Sequence, residues 1–144
     1  MTKILIVDDD AVVIKLMSRV LGRQGFSIVS ASSGLSAMQQ IHDPSLNLIV
    51  ADIFIPELLD GLEFICKTKL KRPDVKLIAM SDGTDYLKPD LSISMAMNLG
   101  AVACLNKPID TILLLKTIKN QMDCKRSRGR LLSQSNPRKI GLKI

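Results

Sequence analysis

The sequence is poor in histidine and cysteine and has no apolar run long enough to cross a membrane. Its one histidine, His42, excludes mechanisms that need paired histidines, among them those of most zinc hydrolases. The three cysteines, Cys66, Cys104 and Cys124, are odd in number and lack CxxC spacing, which argues against a disulfide framework and a zinc site. A membrane span needs about 20 apolar residues, whereas the apolar start of this chain meets three acids after Val7. We therefore expect neither a membrane span nor a signal peptide.

The composition indicates one folded domain with an unevenly charged end. Hydrophobic residues account for 47% of the 144 residues and charged residues for 24%, which excludes a disordered or collagen-like chain. Residues 1–122 hold 13 basic and 13 acidic residues, whereas residues 123–144 hold seven basic residues and one acid. Because the whole net charge of +6 lies in the last 22 residues, we predict a domain over 1–122 and a flexible basic tail or linker stump over 123–144.

The basic tail offers few features for specific recognition. It has no aromatic residue for base stacking and no helix-turn-helix pattern, so we expect no specific DNA binding. A solvated extension is the simplest interpretation. Weak, nonspecific attraction to the phosphates of nucleic acid or anionic lipid is the functional alternative.

Five short apolar runs alternate with five amphipathic stretches. The predicted strands are 3–7, 26–31, 46–51, 75–80 and 102–105, and the predicted helices are about 10–23, 33–42, 61–70, 91–99 and 110–122. Continuous apolar strands that each lead into a helix indicate an α/β fold with a doubly wound, five-stranded parallel sheet. In the last helix we expect a buried stripe of Ile112, Leu115, Ile118 and Met122, with Leu113 pointing away from it and Leu114 at its margin.

Chemically reactive side chains follow the ends of four predicted strands. Asp8 and Asp9 follow the first strand, Asp52 the third, Ser81 the fourth and Lys107 the fifth. Because ligands of open parallel sheets bind at the carboxyl ends of the strands, we expect these side chains to converge. Three carboxylates held close together need a cation, and all-oxygen ligands suit Mg²⁺, or Mn²⁺. A divalent ion beside a lysine can neutralise a phosphoryl group, with the carboxylate of Asp52 as candidate nucleophile.

The strings that contain these residues resemble the receiver domain of bacterial two-component response regulators. They are Ile4–Asp10, Leu48–Asp52, Leu77–Ser81 and Leu105–Pro108, together with Pro56, Asp60-Gly61 and Gly100-Ala101. The resemblance covers about residues 3–122, and its motifs occur in the right order, each at a predicted strand end. It implies a CheY-like, flavodoxin-like three-layer sandwich.

For function, the resemblance implies a phosphorylation switch and not a turnover enzyme. Asp52 would be the phosphoacceptor, Lys107 would pair with the phosphoryl group, and Ser81 would be the switch hydroxyl. The Lys107-Pro108 peptide bond would be cis, a state that is accessible at low cost only before proline.

The resemblance also implies a metal and partners. Asp8, Asp9, Asp52 and the backbone carbonyl of Phe54 would hold Mg²⁺ or Mn²⁺. A sensor histidine kinase or a phosphotransfer protein would supply the phosphoryl group in the cytoplasm, and a downstream protein target would receive the signal.

The sequence departs from the family's pattern in features that affect how phosphorylation would be signalled to a partner more than the phosphorylation itself. Cys104 replaces the usual aromatic residue three positions before the lysine, and the segments from Pro56 to Asp60 and from Ser81 to Gly100 are longer than usual. The missing aromatic leaves open a phosphorylation-independent scaffold with a receiver fold, a pseudo-receiver. A flavodoxin-like cofactor protein is a further alternative, although the acidic turn after the first strand is unsuited to a flavin phosphate.

Surplus apolar surface on the last two helices predicts a partner face. Leu113 lies outside the expected buried stripe, and the preceding helix carries Leu91, Ile93, Met95 and Met97. These residues could form a face for a protein target or a homodimer across the fourth helix, fifth strand and fifth helix. Isolated exposed leucines are equally common, so both interpretations stay open.

Overall fold

The chain forms one parallel sheet with helices on both faces. The computed structural model describes residues 2–53, 61–81 and 89–131. Its strands are β1 (Lys3–Val7), β2 (Ser27–Ala31), β3 (Leu46–Asp52), β4 (Lys76–Ser81) and β5 (Ala103–Asn106), and its helices are α1 (Ala11–Arg23), α2 (Gly34–Gln40), α3 (Gly61–Lys71), α4 (Pro89–Leu99) and α5 (Thr111–Leu131). The strands are parallel in the order β2-β1-β3-β4-β5, which confirms the predicted α/β fold. Within these ranges, every helix is too short or too polar to traverse a bilayer.

Each strand sends alternate side chains into two separate cores. Leu5 and Leu77 belong to the core that α2, α3 and α4 cover, which also contains Phe64. Ile4 and Ile78 belong to the core that α1 and α5 cover on the opposite face. Burial of both faces explains why the strands are continuous apolar runs without polar alternation.

Short polar residues and a glycine fix the ends of several helices. Asp10 caps α1 by accepting the backbone N–H of Val12 at 2.9 Å. Ser33 caps α2 in the same way and accepts the N–H of Ser36 at 3.1 Å. Gly100 follows α4 with a φ of 120°, a conformation that favours glycine and ends the helix where predicted.

Helix α5 extends farther than predicted. It ends at Leu131 instead of Met122, so the first nine residues of the predicted flexible tail are helical. The apolar repeat stops at Met122, which is why the prediction ended there. Lysine and arginine are good helix formers, however, and no proline interrupts residues 123–131. Residues 132–144 lie outside the described residues, and the division of the chain near residue 122 stays a prediction.

The buried face of α5 also differs from the predicted stripe. Leu114 and Ile118 are fully buried, and Leu115 and Met122 pack at the margin of the core. Ile112, predicted to be buried, is 66% exposed. Three consecutive leucines fit two phases of the helical repeat, and contact with the sheet selects the phase centred on Leu114 and Ile118.

Arginine bonds to backbone carbonyls hold the edge of the sheet where the strands begin. The Arg72 guanidinium donates to the carbonyl oxygen of Ile41 at 2.6 Å and to that of Asp43 at 2.8 Å. It also pairs with Asp74, at 3.0 Å between Nη2 and Oδ2. These bonds tie the residue that follows α3 to the turn between α2 and β3.

We expect Arg72→Met to lower the free energy of unfolding by about 1–3 kcal/mol, because part-buried carbonyls lose a charged donor. Urea unfolding followed by circular dichroism measures the change. The control is Lys71→Met, at the exposed neighbour, for which we expect a change within about 0.5 kcal/mol. Equal losses in the two variants would contradict this role of Arg72.

Asp43 is a second anchor at the same edge. Its carboxylate pairs with Lys3 of β1, and Oδ1 accepts the backbone N–H of Ser45 at 2.8 Å and its hydroxyl at 2.7 Å. The hydrogen bonds from Lys3 and Ser45 hold the pKa of Asp43 well below its ordinary value of 3.8.

The depressed pKa of Asp43 predicts a loss of stability in acid. A carboxyl group with a lowered folded-state pKa stabilises the fold above its unfolded pKa, and this stabilisation is lost as the pH falls toward the folded value. We expect the difference in unfolding free energy between the wild type and Asp43→Asn to be constant near neutral pH and to shrink below about pH 4. Urea unfolding across this pH range tests the expectation, and a difference that does not change with pH would refute it.

Candidate functional site

Asp8 and Asp52 lie side by side because β1 and β3 are neighbouring parallel strands. Val7 pairs with Ala51 near the ends of the two strands, and the acids follow directly. Asp8 is fully buried and Asp52 is 5% exposed. Two buried carboxylates at short range repel each other unless a cation joins them.

Lys107 supplies a cation between the two carboxylates. It follows β5, and its Nζ lies 2.8 Å from Asp8 Oδ2 and 2.9 Å from Asp52 Oδ2. Burial alone would lower the pKa of the ammonium, but the hydrogen bonds to Asp8 and Asp52 outweigh burial and raise it. Lys107 is therefore charged and neutralises part of the site. The Lys107-Pro108 bond is cis.

The turn after β1 orients Asp8 toward the site. Its second oxygen, Oδ1, accepts the backbone N–H of Asp10 at 2.8 Å, and its own N–H donates to the Ala31 carbonyl at 3.1 Å. The three consecutive acids thus have different roles. Asp8 is buried in the site, Asp9 is exposed beside it, and Asp10 caps α1.

Asp8, Asp9 and Asp52 form a candidate cation site. Each offers one carboxylate oxygen, and the three oxygens lie within 4.8 Å of one another. Oxygen donors from two buried side chains and one exposed side chain fit Mg²⁺ or Mn²⁺, which prefer oxygen ligands and leave room for water. Phe54, whose carbonyl the resemblance adds to the ligands, lies outside the described residues.

Ser81 lies at the same edge of the sheet, on the strand beside Asp52. Met80 pairs with Asp52, so Ser81 is one residue farther along β4, and its side chain is buried. The Ser81 carbonyl accepts the backbone N–H of Lys107 at 2.9 Å. The structure therefore brings Asp8, Asp9, Asp52 and Lys107 into one cluster and places Ser81 next to it in register.

Cys104 stands on β5 where the resemblance leads one to expect an aromatic ring. It pairs with Ala79 and packs against the core that α2, α3 and α4 cover. Burial raises the pKa of the thiol to about 11, so the side chain is neutral near pH 7. The two longer segments noted in the sequence fall mainly in residues 54–60 and 82–88, outside the described residues.

Comparison with known proteins agrees with this arrangement. A family model for the response regulator receiver domain matches residues 4–119. The chain belongs to the response regulator receiver family. One curated relative, the transcriptional regulatory protein CpxR homolog of Haemophilus influenzae, is 31% identical over 119 residues, which cover 83% of this chain and 49% of that protein.

Other matches extend the comparison to a short relative and a solved structure. Sporulation initiation phosphotransferase F of Bacillus subtilis is 29% identical over 123 residues, which cover 85% of this receiver and 95% of that protein. A CheY-like receiver domain protein from Methanospirillum hungatei matches with a TM-score of 0.80 and 27% identity, over 89% of this chain and 98% of that one. The chain spans about half the length of several curated relatives that it matches.

Gly61 packs against the end of β3 in a way that sequence reasoning missed. A Cβ atom at Gly61 would lie 2.0 Å from the Ile53 carbonyl oxygen and 2.3 Å from the Asp52 carbonyl oxygen. Any side chain here would force the first turn of α3 away from the backbone that carries Asp52. In the sequence, Gly61 was only a helix start and part of an Asp-Gly string.

We expect Gly61→Ala to lower the free energy of unfolding by more than about 2 kcal/mol. The backbone of α3 and that of Asp52 and Ile53 are both fixed by packing, so neither can move aside without a loss of stability. Thermal and urea unfolding measure the loss. Gly22→Ala in α1 is the matched control, since a Cβ there meets no atom within 4 Å. Alanine at position 22 should be neutral or stabilising by up to about 1 kcal/mol. A Gly61→Ala protein as stable as the control would disprove the close contact.

Proposed function

We propose that this receiver accepts a phosphoryl group on Asp52 and acts as a phosphorylation switch in two-component signalling. The observation that carries the proposal is the ammonium of Lys107 between the buried carboxylates of Asp8 and Asp52. Phosphoryl transfer needs an in-line nucleophile and positive charge around the equatorial oxygens, and the Asp52 carboxylate and the Lys107 ammonium are groups suited to these two tasks. Membership of the receiver family supports the same function.

In the proposed reaction, an Asp52 carboxylate oxygen attacks the phosphorus atom of a donor. An O–P bond forms, the bond from phosphorus to the leaving group breaks, and the leaving group departs with the bonding electrons. Lys107 then pairs with a phosphoryl oxygen, and the Ser81 hydroxyl donates to another. Water later attacks the phosphorus atom, the bond between the Asp52 oxygen and phosphorus breaks, inorganic phosphate leaves, and the carboxylate is restored. The protein is thus a signalling domain that takes part in its own chemistry.

Magnesium, or manganese, is the metal we propose for the site. Asp8, Asp9 and Asp52 would hold it, with the Phe54 carbonyl as the further ligand that the resemblance implies. When bound, the ion supplies positive charge that offsets the charge of the phosphoryl oxygens. Asp9 is the most accessible of the three acids, because it alone is exposed.

A sensor histidine kinase or a phosphotransfer protein is the proposed donor, and α1 is the surface we expect it to meet. This helix begins at the edge of the sheet that carries Asp52. Val12 is 74% exposed and Leu16 47% exposed, and with Lys15 and Arg19 they line a shallow groove. Exposed apolar side chains beside the acceptor suit contact with a protein donor. The name of the Bacillus subtilis relative, a phosphotransferase, supports a relay role.

A downstream protein, or a second copy in a homodimer, is the proposed partner for the face of α4, β5 and α5. Ile112 is 66% and Leu113 49% exposed on this face. The names of several relatives, which are transcriptional regulators, support a role in the control of transcription through such a partner. The cytoplasmic location expected from the resemblance stays a prediction.

The second candidate is a pseudo-receiver whose partner binding does not depend on phosphate. Cys104 favours it, because β5 has no ring at the position where the family's switch usually has one. The complete set of three acids and one lysine favours the phosphoacceptor instead.

Intact mass spectrometry after incubation with acetyl phosphate and Mg²⁺ separates the two functions. We expect the wild type to gain the mass of one phosphoryl group and Asp52→Asn to gain none, because the amide cannot form the acyl phosphate. The control is Asp74→Asn, an acid at the opposite edge of the sheet, which should be modified like the wild type. Absence of modification in the wild type with any small phosphodonor would favour the pseudo-receiver.

A further inference from the structure

The outer surface of α1 presents exposed apolar side chains beside a row of cations. Val12 and Leu16 are exposed apolar residues four positions apart. Lys15 and Arg19, also exposed and four positions apart, line a shallow groove with them, and Arg23 continues the basic row by one turn. Because residues four apart lie on one side of a helix, α1 carries an apolar line next to a basic line. We call these five residues the mixed face of α1.

No acid offsets these cations on the layer of helices to which α1 belongs. Residues 11–23 of α1 and 111–122 of α5 contain no aspartate or glutamate. They contain five exposed cations, which are Lys15, Arg19, Arg23, Lys116 and Lys119. None of the five takes part in the ion pairs of the described part of the chain. Because α1 and α5 cover the same face of the sheet, this charge acts from one side of the molecule.

Helix α1 begins next to the acceptor carboxylate of the proposed function. Its N-cap, Asp10, donates its backbone N–H to Asp8 Oδ1 at 2.8 Å, and Asp8 shares the ammonium of Lys107 with Asp52. A partner that lies along α1 therefore has one end at the Asp52 edge of the sheet. This position suits the protein that carries the phosphoryl group.

We propose that the phosphodonor docks on the mixed face of α1 through an acidic amphipathic helix, whose apolar side chains fill the groove and whose carboxylates pair with the basic row. A helix laid in an apolar groove is a recurrent mode of protein recognition. Charges beside such a groove select partners by sign and speed the encounter. The inference rests on the proposed function for the partner's identity, and on the mixed face itself for the partner's charge.

The apolar line distinguishes a protein helix from other anionic partners. Nucleic acid presents phosphates along its outer surface, and Val12 and Leu16 would gain little from contact with them. A membrane-surface helix needs a broad apolar face, whereas α1 offers two apolar side chains in a groove. Apolar contacts with charges at their margin are typical of a protein interface.

Three synthetic peptides, titrated into the isotope-labelled full chain and followed by amide NMR shifts, test the proposal. Each has about 21 residues, a length that allows a helix to form. The first has leucine on one side and glutamate beside it, the second has lysine for glutamate, and the third has serine for leucine. At about 50 mM salt we expect the first to bind on α1, and the other two to bind at least about fivefold more weakly.

Matched receiver variants separate the mixed face from net charge. The double variant Lys15→Gln, Arg19→Gln should bind the glutamate peptide at least about fourfold more weakly, because two ion pairs are lost. The control, Lys67→Gln with Lys71→Gln, removes two exposed cations from α3 on the other face of the sheet. It should bind within about 1.5-fold of the wild type. The amide spectra show that both variants are folded.

Modification by acetyl phosphate and Mg²⁺ separates this inference from the proposed function. A small donor does not need the mixed face, so intact mass should show equal modification of the wild type and the Lys15→Gln, Arg19→Gln variant. Absence of modification in the wild type would overturn the proposed function and with it the donor as the partner. The peptides report on the docking helix alone, because they bind without phosphate.

Four outcomes would overturn the docking helix. The first is equal binding of the glutamate peptide and either of the other two. The second is a set of amide shifts centred on Ile112 and Leu113 instead of α1. The third is an equal loss in the two receiver variants, which would reduce the effect to net charge. The fourth is tighter binding of the mixed face to a DNA duplex or to vesicles containing phosphatidylserine, which would assign it to phosphates.

Discussion

The ammonium of Lys107 is the contact on which the Asp52 edge of the sheet depends. Its Nζ joins Asp8 after β1 to Asp52 at the end of β3, and its backbone N–H bonds to Ser81 at the end of β4. One residue after β5 thereby links four of the five strands. Buried carboxylates without such a partner would have to take up protons or separate. The same charge that holds the resting site together is the charge that a phosphoryl group would need.

The two edges of the sheet are stabilised by different chemistry. At the Asp52 edge, carboxylates outnumber cations, and the excess negative charge creates a place for a metal. At the opposite edge, Arg72 and Lys3 meet backbone carbonyls and the carboxylates of Asp74 and Asp43. The apolar strands keep these two groups of charged residues apart, so the charges that anchor the starts of the strands lie away from the candidate cation site.

Most of the fold could be predicted from the sequence because the residues of the two cores form continuous apolar runs along the chain. Apolar strands that lead into helices define the order of elements, and the parallel connection rule then brings the strand ends together. Asp8, Asp52 and Lys107 are far apart in the chain, yet their cluster follows from that rule. Their distances and burial do not follow from sequence, because they depend on how neighbouring strands are paired.

The features that the sequence did not predict have identifiable causes. The end of α5 was misplaced because apolar periodicity measures contact with the core and not the helix itself. Ile112 was misassigned because consecutive leucines fit more than one helical phase. The contact of Gly61 with the Asp52 backbone was missed because a glycine gives no periodic signal, and its requirement appears only where two chain segments meet.

Helix α5 also has a mechanical consequence. The core holds it through Leu114, Ile118 and Met122, while about 13 Å of helix separates Met122 from Leu131. The helix can therefore tilt as a rigid rod about its last core contact. A tilt of about 5° there, small enough for side chains to absorb, moves the end of the helix by about 1 Å. Slight repacking near the Asp52 edge would thus be carried along the helix to the far side of the molecule.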